Sequence, residues 1–216
     1  MEILTEFQKE LIALISKSEL KDWFFLTGGS ALAHFYLKHR YSEDLDFFTA
    51  EEGKVLIVKE NIEQHSMALG VKLEITREGK TFFECFLQGE KERLKLHFAQ
   101  DIPYRLQPIV YDSALGIYYD NELDIACNKL SALFERHDAK DFVDIYFLSK
   151  EFMDFWEIYK NAQRKHIGME TYWMAVAMDY IYSIEVLPRM IRKITVDEMK
   201  EFYYDKIQKI MQDIKK

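Results

Sequence analysis

The chain has 216 residues, a formal net charge of −8 and 49% hydrophobic residues. A chain of this length and composition can bury a sizeable core without disulfides or structural metal sites. The negative charge opposes nonspecific binding to nucleic acid, because such binding depends on neutralising phosphates. Any contact with RNA is therefore expected to be local.

Cysteine content and apolar patterning indicate the compartment. Cys85 and Cys127 form neither a disulfide framework nor a paired metal-ligand spacing, which favours a reducing environment. Residues 1–19 lack the basic start, long apolar run and small-residue cleavage site of a secretion signal. No apolar stretch approaches membrane-spanning length. We therefore expect a soluble, cytoplasmic protein with no membrane association.

The N-terminal part is predicted to form a helix, a strand and a second helix around a small-residue turn. A helix is expected over about residues 5–18, and residues 22–27 have the aromatic and β-branched character of a buried strand. Gly28-Gly29 ends that strand with a turn in which the backbone can approach a ligand closely. Ser30 is expected to cap the helix that follows, so that free N–H groups and the positive dipole end of this helix favour a phosphate.

The next predicted strand carries two acids. Asp44 and Asp46 alternate with Leu45 and Phe47, so the carboxylates point to one face and the apolar side chains point to the core. Carboxylates about 6.5 to 7 Å apart along one strand face can share Mg²⁺, which prefers one or two carboxylates plus substrate phosphate oxygens. Separately, the glycine turn and the acid pair are typical of ordinary strand-to-helix turns and solvated strand edges. Together they indicate metal-assisted group transfer, because unpaired charge inside an apolar segment is costly.

The rest of the chain is predicted to be a sheet followed by helices. Residues 52–69 are expected to form a helix, and three strands form a meander with turns at Gly79 and Gly89. These strands are expected at residues 71–76, 81–87 and 93–98. After Pro103 and Pro108 the pattern is mostly helical, with helices expected at about residues 122–136, 139–151, 152–166, 170–185 and 196–214. This order is typical of an α+β fold, and we predict an α/β core over residues 1–110 and a helical region over residues 111–216.

A second group of charged residues lies in the first two of these C-terminal helices. Lys129, Leu133 and Arg136 are spaced by four and three residues, so one helix face can present two cations. Asp141 and Asp144 share a face of the following helix in the same way. The alternative is that Lys129 and Arg136 lie on a solvated helix face and pair with the acids that follow.

Two blocks of the sequence carry a resemblance to a known family. The first block is FLTGGSALA at residues 25–33 with HRYSEDLDFF at residues 39–48. The second is NKLSAL at residues 128–133, Arg136, and KDFVDIYFL at residues 140–148. Together they resemble the AbiEii/AbiGii toxin family within the DNA polymerase β-like nucleotidyltransferase superfamily. The resemblance implies a mixed sheet with flanking helices, followed by a C-terminal helical bundle that completes the active site.

The resemblance also implies roles for individual residues. Asp44 and Asp46 would hold Mg²⁺ or Mn²⁺, Lys129 would contact the triphosphate of a nucleoside triphosphate (NTP), and Asp141 and Asp144 would support the site. The residues implied in nucleotide binding are Gly28, Gly29, Ser30, Arg40, Ser42, Lys129, Asp141 and Asp144. The residues implied in catalysis are Asp44, Asp46, His97 and Lys129.

His97 departs from the family pattern. In the predicted strand at residues 93–98, Leu94, Leu96 and Phe98 share one face and His97 lies on the other. Family members usually have an acid at this position, which would complete a two-metal site or act as a base on the acceptor hydroxyl. A neutral imidazole can do either job less well. The alternative is an ordinary, partly exposed strand histidine.

The function implied by the resemblance is Mg²⁺-dependent transfer of a nucleoside monophosphate from an NTP to a hydroxyl, with release of pyrophosphate. The implied acceptor is RNA, in particular a tRNA 3′ end, in a toxin role opposed by a separately encoded antitoxin. Two alternatives stay open. One is a small-molecule nucleotidyltransferase of the kind that modifies aminoglycosides, and the other is a catalytically weakened nucleotide-binding module, for which His97 is the reason.

Overall fold

The computed structural model describes residues 2–214. Internal contacts distinguish two units in this part of the chain. The first contains the chain up to Tyr36 together with Ser42–Asn121, and the second contains Leu37–Tyr41 and the chain from Glu122 onward. The boundary expected near residue 110 stays a prediction.

A mixed seven-stranded sheet forms the centre of the first unit. Its strands are β1 (Phe25–Thr27), β2 (Asp44–Thr49), β3 (Lys72–Glu78), β4 (Phe82–Gln88), β5 (Arg93–Gln100), β6 (Val110–Asp112) and β7 (Ile117–Tyr119). The strand order is β3-β4-β5-β2-β1-β7-β6. β2 runs parallel to β5 and β1 parallel to β7, whereas the other neighbours are antiparallel. The predicted meander is confirmed as β3, β4 and β5.

Short and medium helices accompany this sheet. They are α1 (Glu6–Ile15), α2 (Leu20–Trp23), α3 (Gly28–Ala31), which continues as a π-helix over Leu32–Leu37, and α4 (Val58–Leu69), which follows a 3₁₀ turn at Lys54–Ile57. α1 begins at Glu6 because Thr5 and Gln8 form a reciprocal capping box. α4 packs on β3 and β4.

Alternation along the central strands separates an apolar face from a polar one. Leu45 and Phe47 of β2 are almost fully buried, and Phe47 stacks on Phe98 of β5 with ring centroids 5.1 Å apart. The intervening Asp44 and Asp46 are only partly buried. The sheet therefore presents its charged side chains on the face opposite this core.

Two local predictions for the first unit are wrong, and one element was not predicted. The strand expected from residue 22 begins at Phe25, because residues 20–23 form one helical turn with Trp23 at the surface. Ser30 does not cap a helix, because the helix starts at Gly28 and the Ser30 hydroxyl donates instead to the carbonyl oxygen of Asp44. The β6–β7 hairpin was not expected, since strands of three residues are too short to show alternation.

The second unit is helical, as predicted. Its helices are α5 (Glu122–Arg136), α6 (Ala139–Glu151), α7 (Phe155–Lys165), α8 (Thr171–Asp179), which ends in a 3₁₀ turn at Tyr180–Ser183, and α9 (Val196–Ile214). α5 packs against α6, α7 and α8, and α9 packs against α6 and α8. The hydroxyl of the fully buried Tyr203 donates to the carbonyl oxygen of Phe142 at 2.8 Å, which joins α9 to α6. Across residues 2–214, none of the helices combines the length and the apolar character that crossing a membrane requires.

Candidate active site

One face of the first unit's sheet carries a row of polar side chains from three strands. Asp46 of β2 is the register partner of His97 of β5, and His97 is in turn the partner of Glu84 of β4. Side chains at paired positions point to the same face of a sheet. Two residues earlier along β2, Asp44 is the partner of Lys95 in a second row. The predicted common face of Asp44 and Asp46 is confirmed.

Acidic and basic side chains lie next to one another on this face of the sheet. His97 Nδ1 lies 3.5 Å from Asp46 Oδ1, which is longer than an ordinary hydrogen bond. Lys95 Nζ lies 2.8 Å from Glu84 Oε2. The hydrogen bond from Lys95 is the main cause that holds the pKa of Glu84 below its ordinary value, so this carboxylate is ionised at neutral pH. The four side chains are between 17% and 34% exposed, so a solute can reach them.

The glycine turn lies directly beside the acids. Gly28 has a left-handed backbone with φ of 70°, and a Cβ at this position would collide with the Asp46 carboxylate. The hydrogen bond from Ser30 to the Asp44 carbonyl ties the first turn of α3 to β2. Gly29 and Ser30 are themselves buried in this turn. The Asp46 carboxylate therefore packs directly against the Gly28 backbone, in the place that a side chain at residue 28 would take.

In the second unit, the buried Asp144 carboxylate is surrounded by donors. Arg40 donates through Nε and Nη2 at 2.7 and 2.8 Å, a bidentate geometry. His39 Nε2 lies 2.7 Å from Asp144 Oδ1, and Lys129 Nζ lies 2.8 Å from Oδ2. These contacts join segment 37–41 to α5 and α6. Arg40 is 3% exposed and Asp144 is fully buried, so this is an interior ion network.

Asp141, one turn earlier in α6, extends the network to the end of α5. It accepts from Lys129 Nζ at 3.2 Å, and from Nε and Nη2 of Arg136 at 2.7 and 2.9 Å. The predicted shared face of Lys129 and Arg136 is therefore confirmed. Both cations pair with the acids that follow, but the Lys129 side chain is only 7% exposed and does not lie on a solvated face.

The network sets the charge states of its members. Burial opposes ionisation of Asp144, but the charges of Arg40 and Lys129, with hydrogen bonds from Arg40 and His39, outweigh it and hold its pKa well below the usual range. Burial is also the main cause that lowers the pKa of His39, despite the neighbouring Asp144. At neutral pH the Asp144 carboxylate is therefore ionised and the His39 imidazole is neutral. Nδ1 of His39 is buried without a hydrogen-bond partner.

The structure separates the sequence-predicted residues into these two groups. The first unit holds Gly28, Gly29, Ser30, Ser42, Asp44, Asp46 and His97, and the second holds Arg40, Lys129, Asp141 and Asp144. Ser42 contributes its carbonyl oxygen as acceptor for Gln8 Nε2 at 3.1 Å. Glu84 and His39 were missed by sequence reasoning. Alternation in β4 signals the face of Glu84, whereas nothing local signals the partner of His39, which lies 105 residues away.

A divalent metal is implied by the family resemblance, and the residues present fit one. Among residues 2–214, no three His, Cys, Asp or Glu side chains are grouped as metal ligands. Mg²⁺ does not need such a group, because one or two carboxylates, waters and substrate phosphates usually hold it. Asp44 and Asp46 supply that donor set on one strand face, where both residues are only partly buried.

Comparisons with known proteins identify a similar sequence and similar folds. An uncharacterized protein of Aquifex aeolicus (strain VF5), aq_aa25, is 25% identical over 99% of this chain and 100% of its own length. A candidate nucleotidyltransferase from Helicobacter pylori has a similar crystal structure, with a TM-score of 0.63 and 17% identity, covering 98% of both chains. JHP933 from Helicobacter pylori has a TM-score of 0.62 and 17% identity, covering 96% of this chain and 90% of its own. These similarities confirm the fold class.

The family comparison covers almost the whole described chain. The family model of the AbiEii nucleotidyl transferase toxin, described as part of a type IV toxin–antitoxin system, matches residues 10–213. That span includes the glycine turn, the acid pair on β2 and the ion network of the second unit. The chain therefore belongs to the AbiEii nucleotidyl transferase toxin family.

Proposed function

We propose that this chain transfers a nucleoside monophosphate from an NTP to a hydroxyl of an RNA acceptor, specifically a tRNA 3′ end, and releases pyrophosphate. The observation that carries the proposal is the pair Asp44 and Asp46 on one face of β2, with the Gly28 backbone directly beside the Asp46 carboxylate. Membership of the family supports a nucleotidyltransferase role and implies an antitoxin as partner.

The proposed reaction exchanges one phosphorus–oxygen bond for another. The acceptor hydroxyl oxygen bonds to the α-phosphorus, and the bond between that phosphorus and the oxygen leading to the β-phosphate breaks, so that pyrophosphate leaves. The hydroxyl proton passes to a base. His97 is the candidate for this base, because its ring is partly exposed in the same row as Asp46.

Mg²⁺ or Mn²⁺ is the proposed cofactor. Asp44 and Asp46 would hold it, with His97 Nδ1 as a further candidate ligand beside Asp46. When bound, such an ion neutralises charge on the triphosphate oxygens as the transfer proceeds. Gly28, Gly29 and Ser30 are proposed to lie against the phosphates, because Gly28 lies directly beside the Asp46 carboxylate that would hold the metal.

The roles proposed for the second unit rest on the resemblance and on contacts within that unit. Lys129 is proposed to contact the triphosphate. Its ammonium is held by both Asp141 and Asp144, which supports a positioning role for the two acids. Arg40 would act through Asp144, because its guanidinium is buried on that carboxylate.

The proposed compartment is the cytoplasm. No disulfide joins Cys85 and Cys127, and both are buried. Burial raises the pKa of the Cys85 thiol to about 12, so this thiol stays protonated and unreactive at neutral pH. Neither cysteine needs an oxidising environment.

Replacing Gly28 by alanine is expected to lower nucleotidyl transfer about a hundredfold, because displacement of a reacting group by roughly an ångström can have that effect. Gly53→Ala is the matched control, since Gly53 also has a left-handed backbone with φ of 78° but has no described atom within 4 Å of the position that an alanine methyl would take. Both variants should lose about 1 kcal/mol of unfolding free energy from backbone strain. Thermal melts and transfer assays check this, and equal activity of the two variants would remove the steric argument.

Variants at His97 test whether this residue takes part in the chemistry. His97→Ala is expected to lower kcat by about a hundredfold or more, as loss of a general base usually does. His97→Asp should retain or raise kcat, because a carboxylate can serve as ligand or base. Steady-state kinetics on folded variants measure both. A wild-type kcat in His97→Ala would return His97 to an ordinary strand position.

Incorporation of labelled nucleotide distinguishes the acceptor classes. Purified protein, Mg²⁺ and each labelled NTP in turn would be incubated with total cellular RNA and, separately, with aminoglycosides. Label on RNA that maps to tRNA 3′ ends is the expected result. Label on aminoglycosides alone would favour the small-molecule alternative, and nucleotide binding with no transfer to either acceptor would favour the weakened binding module.

A further inference from the structure

A largely buried ion pair lies beside the start of the glycine turn in the first unit. Asp120 directly follows β7 and is fully buried. Its Oδ1 accepts from Nη2 of Arg105, whose Cζ also lies 4.5 Å from the centroid of the Phe25 ring. Its Oδ2 accepts from the Thr27 hydroxyl at 2.8 Å. Because Thr27 immediately precedes Gly28, this carboxylate is tied to the residue at which the turn begins.

The backbone of Asp120 contacts the segments on both sides of the turn. Its N–H donates to the Leu26 carbonyl oxygen at 2.8 Å, on the strand that enters the turn. Its carbonyl oxygen accepts from the Tyr36 hydroxyl at 3.0 Å, in the π-helix that follows the turn. The neighbouring Tyr119 stacks on Phe35, with ring centroids 3.6 Å apart and planes 14° from parallel. Asp120 and the residue before it therefore fix the turn through β1 on one side and through the π-helix on the other.

These contacts also affect the position of Asp46. Thr27 is the register partner of Asp46 in the antiparallel pair of β1 and β2. Side chains at paired positions point to the same face of a sheet. Asp46 also packs against the backbone of Gly28, the next residue after Thr27. A shift of Thr27 would therefore move both the turn and the carboxylate that is proposed to hold the metal.

The energetic cost of a buried ion pair favours a positioning role for Asp120. Burying two charges removes their hydration, and their mutual attraction often does no more than offset that loss, so such a pair is weak evidence for a stabilising role. The π-helix that contains Tyr36 is a local irregularity of a kind that is frequent at functional sites. We propose that Asp120, with Arg105 as its counter-ion, positions Thr27 and the glycine turn so that Asp46 can hold the metal. This role rests on the proposed function.

Binding of Mn²⁺ alone, measured by electron paramagnetic resonance on the whole chain, tests the positioning role. Thr27→Val removes the hydroxyl that contacts Asp120 at nearly constant volume. It is expected to weaken Mn²⁺ binding about tenfold, the lower end of the effect of groups that orient metal ligands. Thr27→Ser keeps the hydroxyl and should retain wild-type affinity. Asp120→Asn should weaken Mn²⁺ binding at least as much as Thr27→Val, because it also removes the charge that pairs with Arg105.

Thr49→Val is the matched control for Thr27→Val. Thr49 is also fully buried, and its hydroxyl oxygen accepts from the N–H of Glu51 at 3.1 Å. It lies on the same strand as Asp46 but on the apolar face. We expect the two valine variants to have similarly lowered melting temperatures, whereas Thr49→Val should keep wild-type Mn²⁺ affinity.

The outcomes separate this role from general stability and from the proposed function. Wild-type Mn²⁺ affinity in folded Thr27→Val would overturn the inference, even where the wild type transfers nucleotide. An equal loss of affinity in Thr49→Val would also overturn it, because loosening of the whole fold would then be the cause. Absence of Mn²⁺ binding by the wild type would overturn it as well. If Asp120→Asn does not fold, the two Thr27 variants decide. The proposed function fails separately if Thr27→Val alone weakens Mn²⁺ binding but the wild type adds no nucleotide to any acceptor.

Discussion

Replacing Asp46 by asparagine is expected to abolish nucleotidyl transfer while leaving the fold intact. The substitution removes one negative charge at nearly constant volume, and the side chain is 28% exposed, so packing changes little. A carboxylate that holds a metal supplies several kcal/mol of charge stabilisation in the transfer step, which corresponds to at least about a hundredfold in rate. Transfer of labelled nucleotide and a thermal melt measure the two effects on the same sample.

Glu74→Gln is the matched control for this experiment. Glu74 lies on β3, in the same row of the sheet as Asp44. The row runs from Glu74 to Phe86 of β4, then to Lys95 of β5 and to Asp44 of β2. The Glu74 side chain forms only an exposed ion pair with Arg93. We expect the control to keep wild-type activity. Wild-type turnover by a folded Asp46→Asn protein would show that Asp46 holds no catalytic metal.

Replacing Asp144 by asparagine is expected to give the largest loss of stability. The substitution leaves Arg40 and Lys129 in the interior without the carboxylate that both contact. Breaking a buried ion pair from one side usually costs about 3 to 5 kcal/mol, and for a chain of this size the fall in melting temperature is on the order of 10 °C. Thermal or urea unfolding monitored by circular dichroism measures it.

Asp138→Asn provides the comparison at the exposed end of the same network. Asp138 is 52% exposed and lies 3.4 Å from Arg136, so its loss should change the unfolding free energy by less than about 1 kcal/mol. Equal destabilisation by Asp138→Asn and Asp144→Asn would contradict the assignment of Asp144 as the centre of the network.

Low pH is expected to lower the free energy of unfolding of the wild type through two groups, Asp144 and His39. The folded-state pKa of Asp144 is depressed, so its contribution is present above its unfolded value of about 3.9 and is lost as the pH falls towards the lower folded value. His39 has a lowered pKa in the folded state, so the unfolded chain binds the extra proton first and stability begins to fall below about pH 6.5. Urea unfolding at a series of pH values measures this. The free energy of unfolding should fall less steeply towards low pH in Asp144→Asn than in the wild type.

Local patterns were sufficient to predict most elements of the fold. The expected bounds of α5, α6 and α9 agree with the structure, because apolar periodicity and capping signals extend over many residues. The alternation that placed Asp44 and Asp46 on one face is equally local. The π-helix at Leu32–Leu37 and the β6–β7 hairpin were not predicted, because the first differs from an α-helix only in its hydrogen bonding and the second consists of very short strands.

The candidate site was less accessible to sequence reasoning, because its contacts join distant parts of the chain. Spacing alone placed Lys129 and Arg136 on one face, but it could not show that Lys129 is buried between two carboxylates. The bidentate contact of Arg40 with Asp144 links residues 104 positions apart. The neighbourhood of His97 likewise depends on strand order, since β2 and β5 are adjacent in the sheet but not in sequence.

The most direct test of nucleotidyl transfer follows the fate of two labels. Wild-type protein would be incubated with Mg²⁺, total RNA and NTP labelled at either the α- or the γ-phosphate. We expect the α-label to appear on RNA and the γ-label to appear only in released pyrophosphate, with neither seen for Asp46→Asn. Transfer of the γ-label to the acceptor would show phosphoryl transfer instead, and absence of the α-label from every hydroxyl acceptor offered would contradict the central claim.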